Sequence, residues 1–494
     1  MWRLDLAVVG VDDLAVPGTP SVEELLERLA QRDVLIEALS AELGAARVRI
    51  AELEARLGQS SRNSSKPPSS DGLAKPAPKS LRRRGARKPG GQDGHPGSTL
   101  TPVAIPDEVI THEPDWCRGC GDGLGGTPEV GREHRQVFDI PPISVRVTEH
   151  QLIARRCCCG TTTRAEAPEG VTAPVQYGPR ITAIILYLYV GQFLSKKRTA
   201  AALAELFGTP VSQGTVAAMT TRAAGGLGGF LEWTRANLAA AEVVNFDETG
   251  LRVEGKLRWV HSASTGKYSL IFVHDRRGTK GMDAAGVLPE FAGIAVHDVW
   301  APYDTYTSCT HALCGAHVLR ELQAVTDLTE EGHWCWATQA GDALRELNEL
   351  VNDALAACTN PDAPTLEGLD PAALAAAIHR YRSAALLGVQ ATGARTSKLM
   401  GKHNALARRL IDRQDDYLRF TRDPRVPFDN NAAEREIRMI KLRQKVSGCL
   451  RTLTGAQQFC AIRSYLATAA KHGIHFFAAL TTLAEGRPCL PETV

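Results

Sequence analysis

Two aspartates, Asp247 and Asp298, each follow a run of apolar and β-branched residues, "VVNF" and "GIAVH", that is typical of a buried strand. A polar residue after a strand often only begins a turn, and this is the structural alternative. Two carboxylates at neighbouring strand ends repel each other unless a divalent cation lies between them. Because magnesium prefers oxygen ligands, the pair predicts a magnesium site if the fold brings the two strands together.

The sequence between these aspartates predicts how the strands are arranged. After Asp247 the pattern alternates through "KLRWVHSAST" and "KYSLIFVHD", becomes helical in "GTKGMDAAGVLPEF" and returns to a strand before Asp298. Strand, strand, strand, helix, strand is the opening order of an RNase H-like fold, in which the first and fourth strands are neighbours. Glu248 is expected on the opposite face of its strand, pointing away from the site.

A third acid is expected from the basic segment "PFDNNAAEREIRMIKLRQKVSGCLRT", residues 427–452. Asp429 can cap a helix that begins near Asn430, which puts Glu434 in its early turns. From Glu434 to Arg451, six basic residues face two glutamates, whereas a merely solvated helix usually mixes the two signs evenly. This imbalance predicts contacts with DNA phosphates from the basic side chains Arg438, Lys441, Arg443 and Lys445.

Lys441 follows Glu434 by seven residues and so returns to nearly the same helix face, about 10 Å further along the axis. That position suits an ammonium group that contacts a phosphate near the metal site. Arg438 lies one turn from Glu434 and could instead form an ion pair with that carboxylate.

Two cysteine pairs predict a structural zinc site. Cys117-x-x-Cys120 is followed by a glycine, and a second pair, Cys157 and Cys159, would complete a tetrahedral set of four thiolates. Because the second pair is tightly spaced, Cys158 could replace either neighbour as ligand, and unliganded buried cysteines are the structural alternative. The intervening "RQVFDIPPISVRVTEHQLIARR" alternates like paired strands, as in a zinc ribbon.

The N-terminal part repeats in sevens over residues 21–58. Five consecutive heptads predict a coiled coil and hence a homo-oligomer, and Arg32 is a polar residue in the seam. A single amphipathic helix packed on the body of the protein is the alternative. The repeating apolar positions are Val22, Leu29, Ile36, Leu43, Ile50 and Leu57, with Leu25, Leu39, Ala46 and Leu53 three residues later.

A linker and a helical region follow the heptads. Residues 59–100 are rich in Pro, Gly and Ser, and between Gln59 and Ser98 there are nine basic residues and only two acidic ones. The segment is therefore expected to be flexible and to lie along DNA phosphates, with a solvated spacer as the alternative.

The pattern over residues 171–238 predicts helices around the turn Gly208-Thr209-Pro210, with Ser212 as a cap, which fits a helix-turn-helix. The candidate DNA contacts are Arg82, Arg83, Arg84, Lys196, Lys197 and Arg198.

Composition sets the broad class. The chain has 494 residues, of which 44% are hydrophobic and 23% charged, with a net charge of only +2, so several soluble modules are expected. No apolar run reaches membrane-spanning length, and the first residues lack the features of a signal peptide, which predicts a cytoplasmic protein without membrane contact. Twelve cysteines then indicate metal ligands or reduced thiols rather than disulfides.

Several motifs in their order resemble the insertion-sequence-66 transposase family: "NSSKPPSSDG", the cysteine pairs, "NFDETGL", "VHDVWAPY", "HALCGAHVLREL" and "DNNAAEREIRMIKLRQKVSG", spanning residues 60–466. The resemblance implies a DDE transposase whose metal-binding acids are Asp247, Asp298 and Glu434. It implies two magnesium ions, or manganese, and cleavage and strand transfer at the terminal inverted repeats of the element and in target DNA. Accessory proteins of the same element and a nucleoid-associated location are further expectations.

The expected fold is a multidomain α+β protein with an N-terminal coiled coil, a zinc ribbon, a helical DNA-binding region and an RNase H-like α/β catalytic core with a helical insertion. Asp298 and Glu434 lie 136 residues apart in the chain, which implies this insertion, as in similar families. Cys314 and His317 could form a zinc pair, but the sequence offers only His311 as a nearby third ligand, and on a different face, so their role stays open. The predicted segments are 21–58, 59–100, 101–170, 171–238, 239–326 (core, first part), 327–415 (insertion) and 416–475 (core, second part).

Two other functions share part of this pattern. An RNase H-like nuclease without strand transfer would use the same three acids, but it does not need the coiled coil, the zinc ribbon and the basic arm. A zinc-containing DNA-binding regulator accounts for the N-terminal half but leaves the spaced acids without a role. Strand transfer separates the first alternative from a transposase, and metal-dependent nicking excludes the second.

Overall fold

The computed structural model describes residues 20–60, 62–64, 100–330, 332–360, 363–395 and 397–489. Its residues divide into two compact units. The first unit comprises Met1–Lys79, Ala241–Asp247 and Phe291–Asn431, and the second comprises Ser80–Ala240, Glu248–Glu290 and Ala432–Val494. Among the described helices, none combines the length and the apolar character needed to cross a lipid bilayer.

The heptad segment forms one helix, α1 (Val22–Leu57), in the first unit. Ser21 caps it: its hydroxyl accepts from the Glu24 amide at 3.1 Å, and the Glu24 carboxylate accepts from the Ser21 amide at 2.9 Å. None of its residues is buried. The predicted helix is confirmed, and its pairing with a second copy stays a prediction.

The cysteine-rich segment contains two short strands, β1 (Ala154–Arg156) and β2 (Thr162–Arg164), which pair antiparallel around Cys157–Cys159. The prediction of paired strands across the preceding alternating segment is wrong, because residues 133–153 adopt no strand. Pro141 and Pro142 have no amide to donate to a ladder. Apolar side chains such as Val137 and Val147 are about nine-tenths exposed, so no buried face stabilises a strand there.

Four helices precede the sheet in the second unit. They are α2 (Pro179–Leu186), extended by a π-helical turn over Tyr187–Gly191, α3 (Lys196–Phe207), α4 (Gln213–Gly225) and α5 (Gly228–Ala239). As expected, α3 ends at Gly208, whose φ of 59° is left-handed, and Ser212 caps α4 by accepting from the Thr215 amide at 2.9 Å. Lys196 is the first residue of α3, and Lys197 and Arg198 follow it in the first turn.

The strands of the core follow the predicted order, but the prediction that the first strand ends at Asp247 is wrong, because that strand continues to Val253. β3 (Val243–Val253) runs from the first unit into the second, and β4 (Lys256–Ser264), β5 (Ser269–His274) and α6 (Thr279–Ala285) follow. In the second unit β4 pairs antiparallel with β5. In the first unit β6 (Ile294–His297) pairs in parallel with both β3 and β7 (Thr310–Leu313). The RNase H-like classification stays a prediction.

The first unit continues as a helical region with its own apolar core. The helices are α7 (Gly315–Thr326), α8 (Trp336–Ala357), α9 (Pro371–Ala391), α10 (Lys398–Asp412) and α11 (Gln414–Tyr417). Buried residues of β6, β7 and these helices form one cluster. Tyr381 is fully buried and its hydroxyl donates to the Leu410 carbonyl at 2.8 Å, which ties α9 to α10.

The chain ends with α12 (Asn431–Ser447), α13 (Leu453–Lys471) and α14 (Phe476–Ala484). In the second unit α13 protects strand β5. The Ser464 and Thr468 hydroxyls accept from the Ile271 and Ser269 amides at 2.8 and 3.1 Å. These side chains satisfy strand amides that would otherwise lack a partner in the core.

Candidate active site

Asp247 and Asp298 stand at equivalent positions of two adjacent parallel strands. In the register of β3 and β6, Asn245 lies opposite Val296. Asp247 and Asp298 each come two residues after that pair. Because adjacent strands lie about 4.8 Å apart, the register holds the two acidic residues side by side. The expected adjacency of the first and fourth strands is confirmed.

Asp298 is half-buried and its Oδ1 accepts from the Trp300 amide at 2.9 Å. The preceding His297 is fully buried, with its ring stacked on Tyr303 at a centroid distance of 4.3 Å and its Nε2 2.9 Å from His311 Nδ1. Burial lowers the pKa of His297 to about 4, so the imidazole is neutral near pH 7. These contacts fix the end of the strand that carries Asp298.

A buried asparagine ties the start of α12 to the strand that carries Asp247. The Asn430 side chain donates to the Phe246 carbonyl at 2.6 Å and accepts from Asn245 Nδ2 at 2.9 Å. Its backbone amide donates to Cys314 Sγ at 3.2 Å. Asn430 is only 1% exposed. No sequence pattern indicates this role, because two adjacent asparagines before a helix are equally typical of a helix cap.

The helix that carries Glu434 begins at Asn431, one residue later than expected. Asp429 acts as predicted, since its Oδ1 accepts from the Asn431 amide at 3.0 Å. Glu434 lies in the first turn of α12. Arg438 donates to a Glu434 carboxylate oxygen at 2.9 Å, which is the ion pair that helix spacing allows.

Cys314 and His317 lie at the start of α7. Cys314 is fully buried and occupies the N-cap position of that helix. The next residue must be glycine, because a Cβ on Gly315 would lie 2.3 Å from the Phe428 ring. Burial, and then the charge of Arg320, lower the pKa of His317 to about 4, while Asp298 acts in the opposite direction. A neutral imidazole therefore lies within the electrostatic reach of Asp298.

Lys441 has a protein partner in the second unit. Its ammonium donates to the Gly250 carbonyl on β3 at 2.6 Å. Burial lowers the pKa of Lys441 below its ordinary value. The predicted phosphate contact stays a prediction, and the bond to Gly250 shows that Lys441 also joins α12 to β3.

Glu248 has a separate structural role that the sequence did not reveal. Its side chain is 1% exposed, and the Arg277 guanidinium donates to its Oε1 at 2.7 and 3.1 Å. The same guanidinium lies over the Trp259 ring, 4.9 Å from its centroid. A charged pair of this kind holds the second half of β3 against its neighbours.

The remaining candidate DNA contacts differ in exposure. Lys197, Arg198 and Lys445 are exposed, and Lys196 is half-buried. Arg443 is only 5% exposed and donates to the Gly448 carbonyl at 2.5 Å, so most of its side chain lies below the surface. Three further candidates, Arg82, Arg83 and Arg84, lie outside the described residues.

The cysteines are brought together in pairs. Hydrogen bonding from the Cys120 and Gly119 amides and from the Cys120 thiol lowers the pKa of Cys117. Bonds with Thr161, and then with Cys157, lower the pKa of Cys159 to about 7. A lowered pKa favours the thiolate, which is the form that binds zinc. Among the residues that the structure describes, no three of these thiols lie within 4.8 Å of one another.

Comparison with known families agrees with these features. The profile described as "Transposase IS66 family" matches residues 174–458, more than half of the chain. The chain belongs to the IS66 family of transposases. A zinc-finger binding domain of IS66 transposases matches residues 114–160, and a family of unknown function (DUF6444) matches residues 18–101. No curated protein matches the chain.

Membership in the IS66 family gives the chain the function of a transposase, and the zinc-finger match supports a structural zinc. The match over residues 174–458 includes Asp247, Asp298 and Glu434. The zinc-finger match contains all five clustered cysteines, from Cys117 to Cys159.

Proposed function

We propose that this IS66 transposase is a DDE-type enzyme that cleaves DNA at the ends of its element and transfers the strands to target DNA. Asp247, Asp298 and Glu434 would hold two magnesium ions, or manganese. The observation that carries the proposal is the parallel register of β3 and β6, with two aspartates at equivalent positions just beyond the last paired residues.

The donor set fits a hard divalent cation. Both aspartates are half-buried carboxylates, Asp247 within β3 and Asp298 directly after β6, and Glu434 lies four residues after Asn430, which is bonded to β3. Oxygen-only ligands of this kind suit magnesium and manganese better than zinc. When bound, such ions supply electrostatic stabilisation of the scissile phosphate and activation of a water or a 3′-hydroxyl.

The residues of the chain itself would position the reacting groups. Asn430 fixes the start of α12 and so the first turn that carries Glu434, while Arg438 orients that carboxylate through its ion pair. Lys441 and the exposed cations of α12 would contact the DNA backbone, and the basic start of α3 would contribute further phosphate contacts.

The other parts of the chain would organise the DNA complex. Cys117, Cys120, Cys157 and Cys159 would bind one structural zinc, and α1 would pair with a second copy through its exposed heptad positions. The partners would be double-stranded DNA with the terminal inverted repeats, target DNA and accessory proteins of the element, at the nucleoid in the cytoplasm.

The test is magnesium-dependent cleavage and strand transfer on a duplex that contains the inverted repeat of the element. Asp247→Asn and Asp298→Asn are expected to abolish cleavage while DNA binding is retained. Asp275→Asn is the matched control, because Asp275 also follows a strand, β5, but pairs with Arg258, His274 and Arg276 instead. Wild-type cleavage by either site variant would exclude the mechanism, and cleavage without strand transfer would indicate a nuclease.

A further inference from the structure

Three aromatic rings form a cluster in the second unit. The Phe459 ring lies 6.4 Å from Tyr189 in an edge-on arrangement and 6.3 Å from Phe193, measured between centroids. Tyr189 and Phe193 flank the end of the π-helical turn before α3, and Phe459 lies on α13. The cluster therefore joins the helical region to the end of the chain.

Three cations face these rings. Lys196 Nζ lies 5.8 Å from the Tyr189 centroid, Arg443 lies 5.7 Å from the Phe459 centroid, and Arg463 lies 5.5 Å from the Phe193 centroid. Cation–π contacts at these distances are attractive. They place like charges around one small cluster, however, and so concentrate positive charge there.

The positive charge is poorly neutralised by the protein. Arg443 and Arg463 are each only 5% exposed, and within the described part of the chain the Nε atom of each has no hydrogen-bond partner. Glu436 acts on Arg463, but it already accepts from Ser269 and lies 3.8 Å from the Lys471 ammonium. Buried guanidinium groups without full compensation are costly, so an anionic ligand is expected nearby.

A fourth cation belongs to the same neighbourhood. The pKa of Lys196 lies below its ordinary value because of burial and then because of the positive charges of Arg443 and Arg451. Arg451 is exposed and lies between α12 and α13. Lys196 is the first residue of α3, so the partial positive charge of that helix end adds to the field.

The backbone near these groups is held in an uncommon conformation. Phe193 has φ of 60°, in the left-handed region that residues with a side chain rarely adopt. The Ser447 hydroxyl at the end of α12 donates to the Phe193 carbonyl. This bond connects the end of α12 to the loop before α3. It therefore holds together the two segments that carry Arg443 and Lys196.

We propose that Lys196 and Arg451 bind one and the same backbone phosphate of duplex DNA, while the buried Arg443, which lies over the Phe459 ring, adds positive charge behind them. The inference rests on the proposed function only in taking DNA as the ligand. Arginine binds phosphate through two parallel hydrogen bonds, and lysine adds a point charge. The start of α3 and the segment between α12 and α13 would thus bind the same phosphate rather than two separate ones.

A double-mutant cycle tests whether the phosphate is shared. The dissociation constant for an inverted-repeat duplex is measured against salt concentration, with EDTA present so that cleavage plays no part. Lys196→Ala and Arg451→Ala are each expected to reduce the slope of the logarithmic plot by about one, and the double variant is also expected to lose about one, because a single phosphate contact is removed in each case.

Lys197→Ala is the matched control, because Lys197 is exposed and adjacent but lies outside the aromatic cluster. Lys197→Ala alone reduces the salt slope either by zero or by about one unit. In both cases the slope reduction in the Lys196→Ala, Lys197→Ala double variant is expected to equal the sum of the two single reductions. The shared site would be overturned if the Lys196→Ala, Arg451→Ala double variant reduced the salt slope by about two units. It would also be overturned if neither single variant reduced the slope.

Binding of inorganic phosphate provides a second test that does not depend on transposition. At constant ionic strength, replacing chloride by phosphate is expected to raise the melting temperature of the full-length protein by a few degrees, as for a ligand that binds the folded state. The Lys196→Ala, Arg451→Ala double variant should lose this shift. Absence of the shift in the wild-type protein would refute the site even if cleavage occurs, whereas its presence in a protein that does not cleave would refute only the proposed enzyme.

Discussion

Replacing Asn430 by alanine should release the start of α12 from the strand that carries Asp247. The substitution removes the bonds to the Phe246 carbonyl and from Asn245, at a position that is 1% exposed. Leaving a buried amide donor and a buried carbonyl without partners costs about 2–4 kcal/mol. This cost lowers the free energy of local opening at the start of α12. The backbone amides in the first turns of α12 should therefore exchange with solvent at least about 30-fold faster than in the wild-type protein.

Hydrogen exchange of the segment 427–440, measured by mass spectrometry, is the assay. DNA cleavage by Asn430→Ala should fall as well, because Glu434 lies in the affected turn. Asn431→Ala is the control, since Asn431 is exposed and its side chain bonds to the neighbouring Asp429. Equal exchange in Asn430→Ala and the wild-type protein would refute the view that this asparagine positions the helix.

Three further predictions concern the other elements. The purified protein should contain about one zinc per chain, which Cys158→Ser keeps and Cys159→Ser loses in elemental analysis; the reverse result would move the ligand assignment. Deleting residues 21–58 should lower the oligomeric state in sedimentation, and an unchanged state would show that α1 does not mediate association. Lys441→Ala should reduce the salt slope of DNA binding by about one unit, and an effect of Arg438→Ala alone would assign the phosphate contact to Arg438.

Periodicity made the core strands and α1 predictable. β3 and β5 are rich in apolar and β-branched residues and β4 alternates in residue type, although the burial itself does not alternate, since the last five residues of β4 are all buried. The change to a helical pattern at α6 marks the crossover to β6. The same reasoning failed between the cysteine pairs, because alternation alone does not create a strand without a partner and a buried face. The residues there are almost entirely exposed.

The pairing of the two strands near Asp247 and Asp298 was predictable, but the side-chain contacts around them were not. Asp247 and Asp298 could be paired because strand order fixes which ends are neighbours. The bonds of Asn430 to β3 and of Arg277 to Glu248 join residues 184 and 29 positions apart in the chain. A single sequence contains no local pattern for such contacts, since they depend on tertiary packing.

Binding of Mn²⁺, followed by the electron paramagnetic resonance signal of the free ion, tests the central claim most directly. With the zinc left in place, the wild-type protein is expected to remove Mn²⁺ from solution, and the Asp247→Asn, Asp298→Asn double variant should bind it at least about tenfold more weakly, because two carboxylate ligands are lost. Asp275→Asn should bind like the wild-type protein. Wild-type Mn²⁺ affinity in the double variant would contradict the assignment of Asp247 and Asp298 as metal ligands of the transposase.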